Sequence, residues 1–146
     1  GPFMPTGFMD HRQAEAFDAA LAETGRQGLC RVVLIHHPPL TSLTTWPRRL
    51  INASLVQEAV ARHGAELILH GHNHRTSVRF IDGPDGRKVP AVGAAAAAAL
   101  PHGRDPGAAY NLFRIEGSAP PYTIEMTERG VTADGGVATR SQQTLF

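Results

Sequence analysis

The chain has a single cysteine, a single tryptophan and almost no net charge, and no apolar run long enough to cross a bilayer. Each scarcity excludes something. Cys30 alone cannot close an intrachain disulfide, so it reads as a small buried hydrophobe on a strand, neutral as to redox compartment. A formal charge of +1 leaves no electrostatic footprint for nucleic acid or for an anionic membrane surface. No stretch approaches the roughly 18 apolar residues of a membrane span, and the N-terminus lacks the basic-then-apolar layout of a secretory signal. The expectation is a cytoplasmic chain with neither a nucleic-acid nor a membrane partner. What is present fits a folded domain: 146 residues, 42% hydrophobic and 18% charged, enough to bury about two thirds of the unfolded surface. The opening Gly1-Pro2, without a methionine, reads as a cleavage scar or as the interior of a longer protein.

An α/β order emerges along the first half. From Asp10, "DHRQAEAFDAALAE" sets Ala14, Phe17 and Leu21 at helical spacing, and Asp10 with Gln13 forms a capping-box pattern, predicting a helix over residues 10 to 25. "CRVVLI", residues 30 to 35, is the unbroken apolar run of a strand buried on both faces. A Pro- and Thr-rich loop follows from His36, then "NASLVQEAVARHG", a helix capped at Asn52 or Ser54 and stopped by Gly64, then a second strand, "AELILH". Strand, helix and strand in that order predict parallel strands whose carboxyl ends share one sheet edge, where open α/β sheets hold their ligands. The second half is antiparallel in character. "SVRFIDGPDGRKVPAVG" reads as a hairpin around "GPDG", "AAYNLFRIEG" and "PYTIEMTERG" as further strands, and residues 131–146 as a last strand or a loose tail. "GAAAAAALP" is too short for an unaided helix and reads as a tight passage beside the core.

Both early strands run into histidines. "VVLIHHPP" ends on His36 and His37, and "LILHGHNH" on His70, His72 and His74, so five of the 8 histidines fall at one predicted edge. Histidines at i and i+2 project to one side of an extended segment, so His72 and His74 can face one ion or two adjacent ions. Neutral imidazole is a common nitrogen ligand for Zn, Mn and Fe, and its second ring nitrogen needs an acceptor that fixes the tautomer. His37, His70 and Asn73 are candidates for that supporting role. His11, His63 and His102 read as ordinary surface or loop histidines.

The motifs H-x-P and G-H-x-H, in this order and with a helix between them, resemble the C-terminal half of the calcineurin-like metallophosphoesterases. The nearest likeness is to the bacterial class III cyclic-nucleotide and glycerophosphodiester phosphodiesterases, over about Gly7 to Ile115. The resemblance implies an αββα sandwich of mixed sheets, of which this chain would be the C-terminal portion, residues 1–146, with two helices and C-terminal hairpins. It also implies two divalent ions, Mn, Fe or Zn, with His36 and His72 on one and His74 on the other. Such ions clamp a phosphodiester or phosphomonoester and acidify a water that attacks phosphorus. The family's D-x-H, G-D-x-x-D and G-N-H-[DE] motifs do not occur in the sequence, so no catalytic residue is assigned in this chain. The N-terminal half is then a missing partner, and partial or no metal occupancy, inactivity alone and self-association through exposed sheet edges are expected. In "TTWPRRL", Arg48 and Arg49 offer phosphate contacts and Trp46 a stacking face. Two other readings are a non-catalytic histidine cluster binding one ion, and a metallo-β-lactamase-like hydrolase. The latter requires Asp and His at the positions held by His74 and Arg75.

Overall fold

The computed structural model describes residues 7–36, 50–51, 53–71 and 75–146. The first long element is α1 (His11–Arg26), and its start is fixed by a capping box. The Asp10 carboxylate accepts from the Gln13 backbone at 2.8 Å, and the Gln13 side chain accepts from the Asp10 N–H at 3.1 Å. Two of the orphan donors at a helix start are thereby satisfied. The helix continues through Gly25 and ends at Arg26, and Gly28, at a φ of 69°, turns the chain toward β2 (Val32–Ile35). Beyond it come α2 (Ala53–His63), β4 (Leu67–His70), and the hairpin of β5 (Ser77–Asp82) with β6 (Lys88–Gly93), closed by a 3₁₀ turn at Pro84–Gly86. A short pair, β1 (Gly7–Phe8) with β3 (Leu50–Ile51), is parallel. The chain finishes as a meander of β7 (Ala109–Glu116), β8 (Thr123–Val131) and β9 (Val137–Thr144).

These elements form three layers. A four-stranded sheet in the order β2-β4-β6-β5 is parallel except for β5. Its helix-facing side packs Ile68, Ile81, Val89 and Ala91 against Leu21 of α1 and Val56, Ala59 and Val60 of α2. Its other side packs Leu67 and Val92 against Ile124 and Met126 of β8 and Leu145 after β9. Alternation along β4 explains the division, because successive side chains point to opposite faces. The fold class is therefore α+β, with a mixed sheet between two helices and an antiparallel sheet. Residues 137–144, left between strand and loose tail by the sequence, pair with β8 as β9, and Leu145 is buried against Ile124 and Met126. The alanine run after Gly93 is not helical: Ala96 and Ala99 instead accept backbone N–H groups from Ala109 and Ala108.

One strand departs from expectation. β2 is expected to be buried on both faces, yet among the described residues it is an outer strand, and Val32 and Leu34 are 43% and 77% exposed. Val33 and Ile35 pack on the helix-side core, but nothing among the described residues covers the opposite face. An apolar run without alternation records what each face tolerates, and it does not record whether a neighbour is there.

The two histidine-bearing strands are pinned at their amino ends by a buried ion pair. The Arg31 guanidinium donates to both Glu66 oxygens, at 3.0 Å from Nε and 3.1 Å from Nη2, with side chains only 12% and 10% exposed. The Arg31 backbone N–H adds a bond of 2.6 Å to the same carboxylate, and Nη1 donates to the carbonyls of Leu21 and His63. One side chain thus ties β2 and β4 to α1 and α2. Gly64, at a φ of 78°, would bring a Cβ to 3.2 Å from Arg31 Nη2, so a side chain there meets both backbone strain and the guanidinium.

Candidate metal-binding edge

The parallel register of β2 and β4 sets Ile35 beside His70. Past the strand ends the pairing continues by one bond, from the Gly71 N–H to the His36 carbonyl at 3.0 Å. His36 and the "GH" start of the second cluster are therefore neighbours across a backbone hydrogen bond. On the other side, the Ala94 N–H donates to the His70 carbonyl at 3.0 Å and anchors the end of β4 to β6. Gly71 does not have its φ in the left-handed region, but a Cβ there would lie 3.3 Å from the His36 carbonyl oxygen and 3.9 Å from His36 Nδ1. A side chain there would press on the His36 carbonyl, which would have to give by a few tenths of an ångström, while the ring stays at ordinary contact distance.

His36 is exposed, as a ligand open to solvent and substrate would be. His70 is different. It shares its face of β4 with Ile68, the helix-facing side, and is 4% exposed. Its Nδ1–H lies 3.3 Å from the Gly71 carbonyl, which can only accept, so the ring is the Nδ1–H tautomer. Its Nε2 has no hydrogen-bond partner among the described residues. Burial pushes its pKa below the ordinary 6.5, the Gly71 contact opposing this only in part. Alternation, though, turns His70 away from the face on which Gly71 makes room for His36.

Of the other candidates, His72, Asn73 and His74, His37, and Trp46, Arg48 and Arg49 lie outside the described residues. Among the described residues, no group of three or more His, Cys, Asp or Glu side chains is placed to hold a metal ion. His63 sits in the last turn of α2, with Nε2 3.1 Å from the Asp18 carboxylate of α1. Hydrogen bonding from Arg62 and His63 holds the Asp18 carboxyl below its ordinary value, Arg62 contributing most. This cluster joins the two helices and does not reach the strand ends. His11 opens α1 exposed to solvent, and His102 shares a two-residue bridge with Asp105. A partly open cavity of about 60 Å³ lies at the opposite end of β4, among Arg31, Glu66, Tyr122 and Phe146. It is far smaller than the several hundred Å³ usual for a substrate pocket.

Sequence reasoning missed two features. The close approach of Gly71 to the His36 carbonyl needed the register of β2 against β4, which no local pattern carries. The Arg31–Glu66 pair joins residues 35 apart in the chain, and its only trace in the sequence is an arginine heading an apolar strand. Among the described residues no helix is long and apolar enough to cross a membrane. No family model matches the chain, and no curated protein matches it in sequence.

Proposed function

We propose that this chain is the histidine-supplying portion of a calcineurin-like metallophosphoesterase, a cytoplasmic metal-dependent hydrolase of phosphodiesters or phosphomonoesters, and that it is inactive alone. One observation carries the reading. The strands that end in the two histidine motifs are adjacent and parallel, joined beyond their ends by the Gly71 to His36 hydrogen bond, with a glycine where a side chain would crowd His36.

The donor set suits divalent Mn, Fe or Zn, since neutral imidazoles are good ligands for all three. His36 and His72 would hold one ion and His74 the other. Bound ions clamp the phosphate and acidify a water nucleophile. This chain's own contribution is placement: β2 and β4 bring the two motifs to one edge, and Gly71 allows the close backbone approach to the His36 carbonyl. Three neutral ligands leave the mutual repulsion of two dications uncompensated. The carboxylates that would offset it belong to motifs absent from this sequence, so turnover requires a second polypeptide region to provide them.

The test is a titration of the metal-free chain with Co²⁺ and Mn²⁺ by calorimetry and visible absorption, alongside hydrolysis of bis(p-nitrophenyl) phosphate. The expected result is binding that His36→Ala weakens about tenfold or more, inorganic phosphate that tightens it, and no turnover. Turnover near that of an intact enzyme would overturn the half-site argument. Metal binding indifferent to His36→Ala would overturn the assignment of the edge. The lack of any carboxylate in either histidine motif favours a second reading, a non-catalytic protein binding one ion. Its signature is a single tetrahedral Co²⁺ site unaffected by phosphate.

A further inference from the structure

Arg26, Arg31, Arg62 and Arg114 each face a carboxylate. Among the described residues, Arg75 and Arg104 face none, and they are brought together at the carboxyl edge of the mixed sheet. Arg75 follows directly on His74 in the sequence, and its Nη2 donates to the Arg104 carbonyl. Arg104 arrives from another strand. β6 runs parallel to β4, so its end reaches the same edge, where the Ala94 N–H meets the His70 carbonyl. The chain then makes a closed excursion over residues 100–107, whose base is the bond from the Ala108 N–H to the Ala99 carbonyl at 2.7 Å. That excursion is tightly built. His102 and Asp105 exchange two backbone bonds, at 3.0 and 2.8 Å, and the Asp105 carboxylate accepts from the Gly107 N–H at 2.8 Å. Gly107 has a φ of 81°, and a Cβ there would lie 2.7 Å from the Pro101 nitrogen, so only glycine fits. Gly103 and Arg104 are exposed at the tip.

We propose that Arg75 and Arg104 form an anion subsite beside the metal edge, which takes a second anionic group, a carboxylate or a further phosphate, on the substituent of the phosphoester remote from the metals. The inference rests on the phosphoesterase reading above and narrows its substrates. Two cationic residues joined on one fixed turn, with no carboxylate facing either, are a like-charge pair that an anion relieves. The one acid of the turn does not offset them, because its carboxylate is engaged by the Gly107 N–H. Guanidinium suits the task, since it offers paired N–H donors to carboxylate and phosphate and keeps its charge at any working pH. Arg75 spends one nitrogen on the Arg104 carbonyl, which leaves the other donors of its fork for a ligand. The rigid backbone of the turn lowers the ordering cost of binding. Position one residue past His74 sets the subsite next to the reacting phosphate. The same charge disfavours substrates whose remote substituent carries an ammonium group.

The test compares probes that differ in the second group alone, by calorimetry on the Mn²⁺-loaded chain. Glycerol 3-phosphate has a hydroxymethyl where 3-phosphoglycerate has a carboxylate, and propane-1,3-diol bisphosphate supplies a second phosphate. The expected result is that at least one of the latter two binds about tenfold or more tighter than glycerol 3-phosphate. Arg104→Gln removes that preference and leaves the affinities for Mn²⁺ and glycerol 3-phosphate unchanged; because it keeps the carbonyl that Arg75 holds, the loss is read at the guanidinium alone. Arg26→Gln, at an exposed arginine of α1, changes nothing. Circular dichroism confirms that each variant is folded. In NMR spectra of the metal-free chain, inorganic phosphate shifts the Nε–H signals of Arg75 and Arg104 and leaves that of Arg26 in place. If Mn²⁺ does not bind, or binds indifferently to His36→Ala, the metal edge falls, and the phosphate titration still decides the subsite. No gain from either second group on a chain that binds Mn²⁺ and glycerol 3-phosphate, a preference that survives Arg104→Gln, or phosphate that moves all three arginine signals alike would each overturn the proposal.

Discussion

Replacing Arg31 with alanine tests how the histidine-bearing strands are held. The substitution removes a bidentate contact to Glu66, at 3.0 and 3.1 Å, and the donor to the His63 carbonyl at 2.7 Å. Breaking a buried pair from one side costs about 3–5 kcal/mol, mostly because the other charge stays buried. Here Glu66 keeps the Arg31 backbone N–H at 2.6 Å and is 10% exposed, which sets the expectation at the low end, about 3 kcal/mol. With a urea slope of about 1–3 kcal/mol/M, the unfolding midpoint should fall by about 1–3 M. The double variant Arg31→Met/Glu66→Leu removes both charges and keeps apolar volume, and it should be closer to the unsubstituted chain than Arg31→Ala is. Urea unfolding at pH 7, followed by circular dichroism, measures all three. A loss under about 1 kcal/mol in Arg31→Ala, or a double variant less stable than the single one, would refute the account of this pair as a buried, mutually dependent unit.

Three other outcomes follow from particular contacts. Gly71→Ala pushes a Cβ to 3.3 Å from the His36 carbonyl oxygen; the melting temperature should change little, while metal affinity, if the proposed edge binds metal, falls several-fold by calorimetry. Ile68→Ala empties a fully buried position between β4 and the helices and should cost about 2–5 kcal/mol in denaturant unfolding. His70 has its pKa depressed in the folded state by burial, so below the unfolded value near 6.5 the unfolded chain takes up the proton first. Stability from this group is full above that pH and is lost on acidification through the folded pKa. His70→Gln should flatten the fall in unfolding midpoint between neutral pH and about pH 5.

The sequence made some of this legible. The Asp10–Gln13 capping box is local chemistry and is found as read. The parallel neighbours β2 and β4 follow from strand, helix and strand in succession, and the β5–β6 hairpin from "GPDG". The outer position of β2 was not legible, because "VVLI" has the same composition whether or not another strand lies beside it. Nor was the division of the histidines between two faces: His70 turns toward the helices, whereas His36 lies beside the space at Gly71. That follows from where the strand stops, and one residue of register reverses it.

The layering also sets an order of assembly. β7, β8 and β9 join through short turns between consecutive strands, so their pairing closes small loops. β2 meets β4 only after the chain has returned across α2, a longer loop than the one that brings β6 to β4. Non-local pairings are slow, because loop-closure entropy must be met before any contact rewards it. The meander should therefore gain hydrogen-exchange protection before the β2–β4 pairing that carries His36 and Gly71.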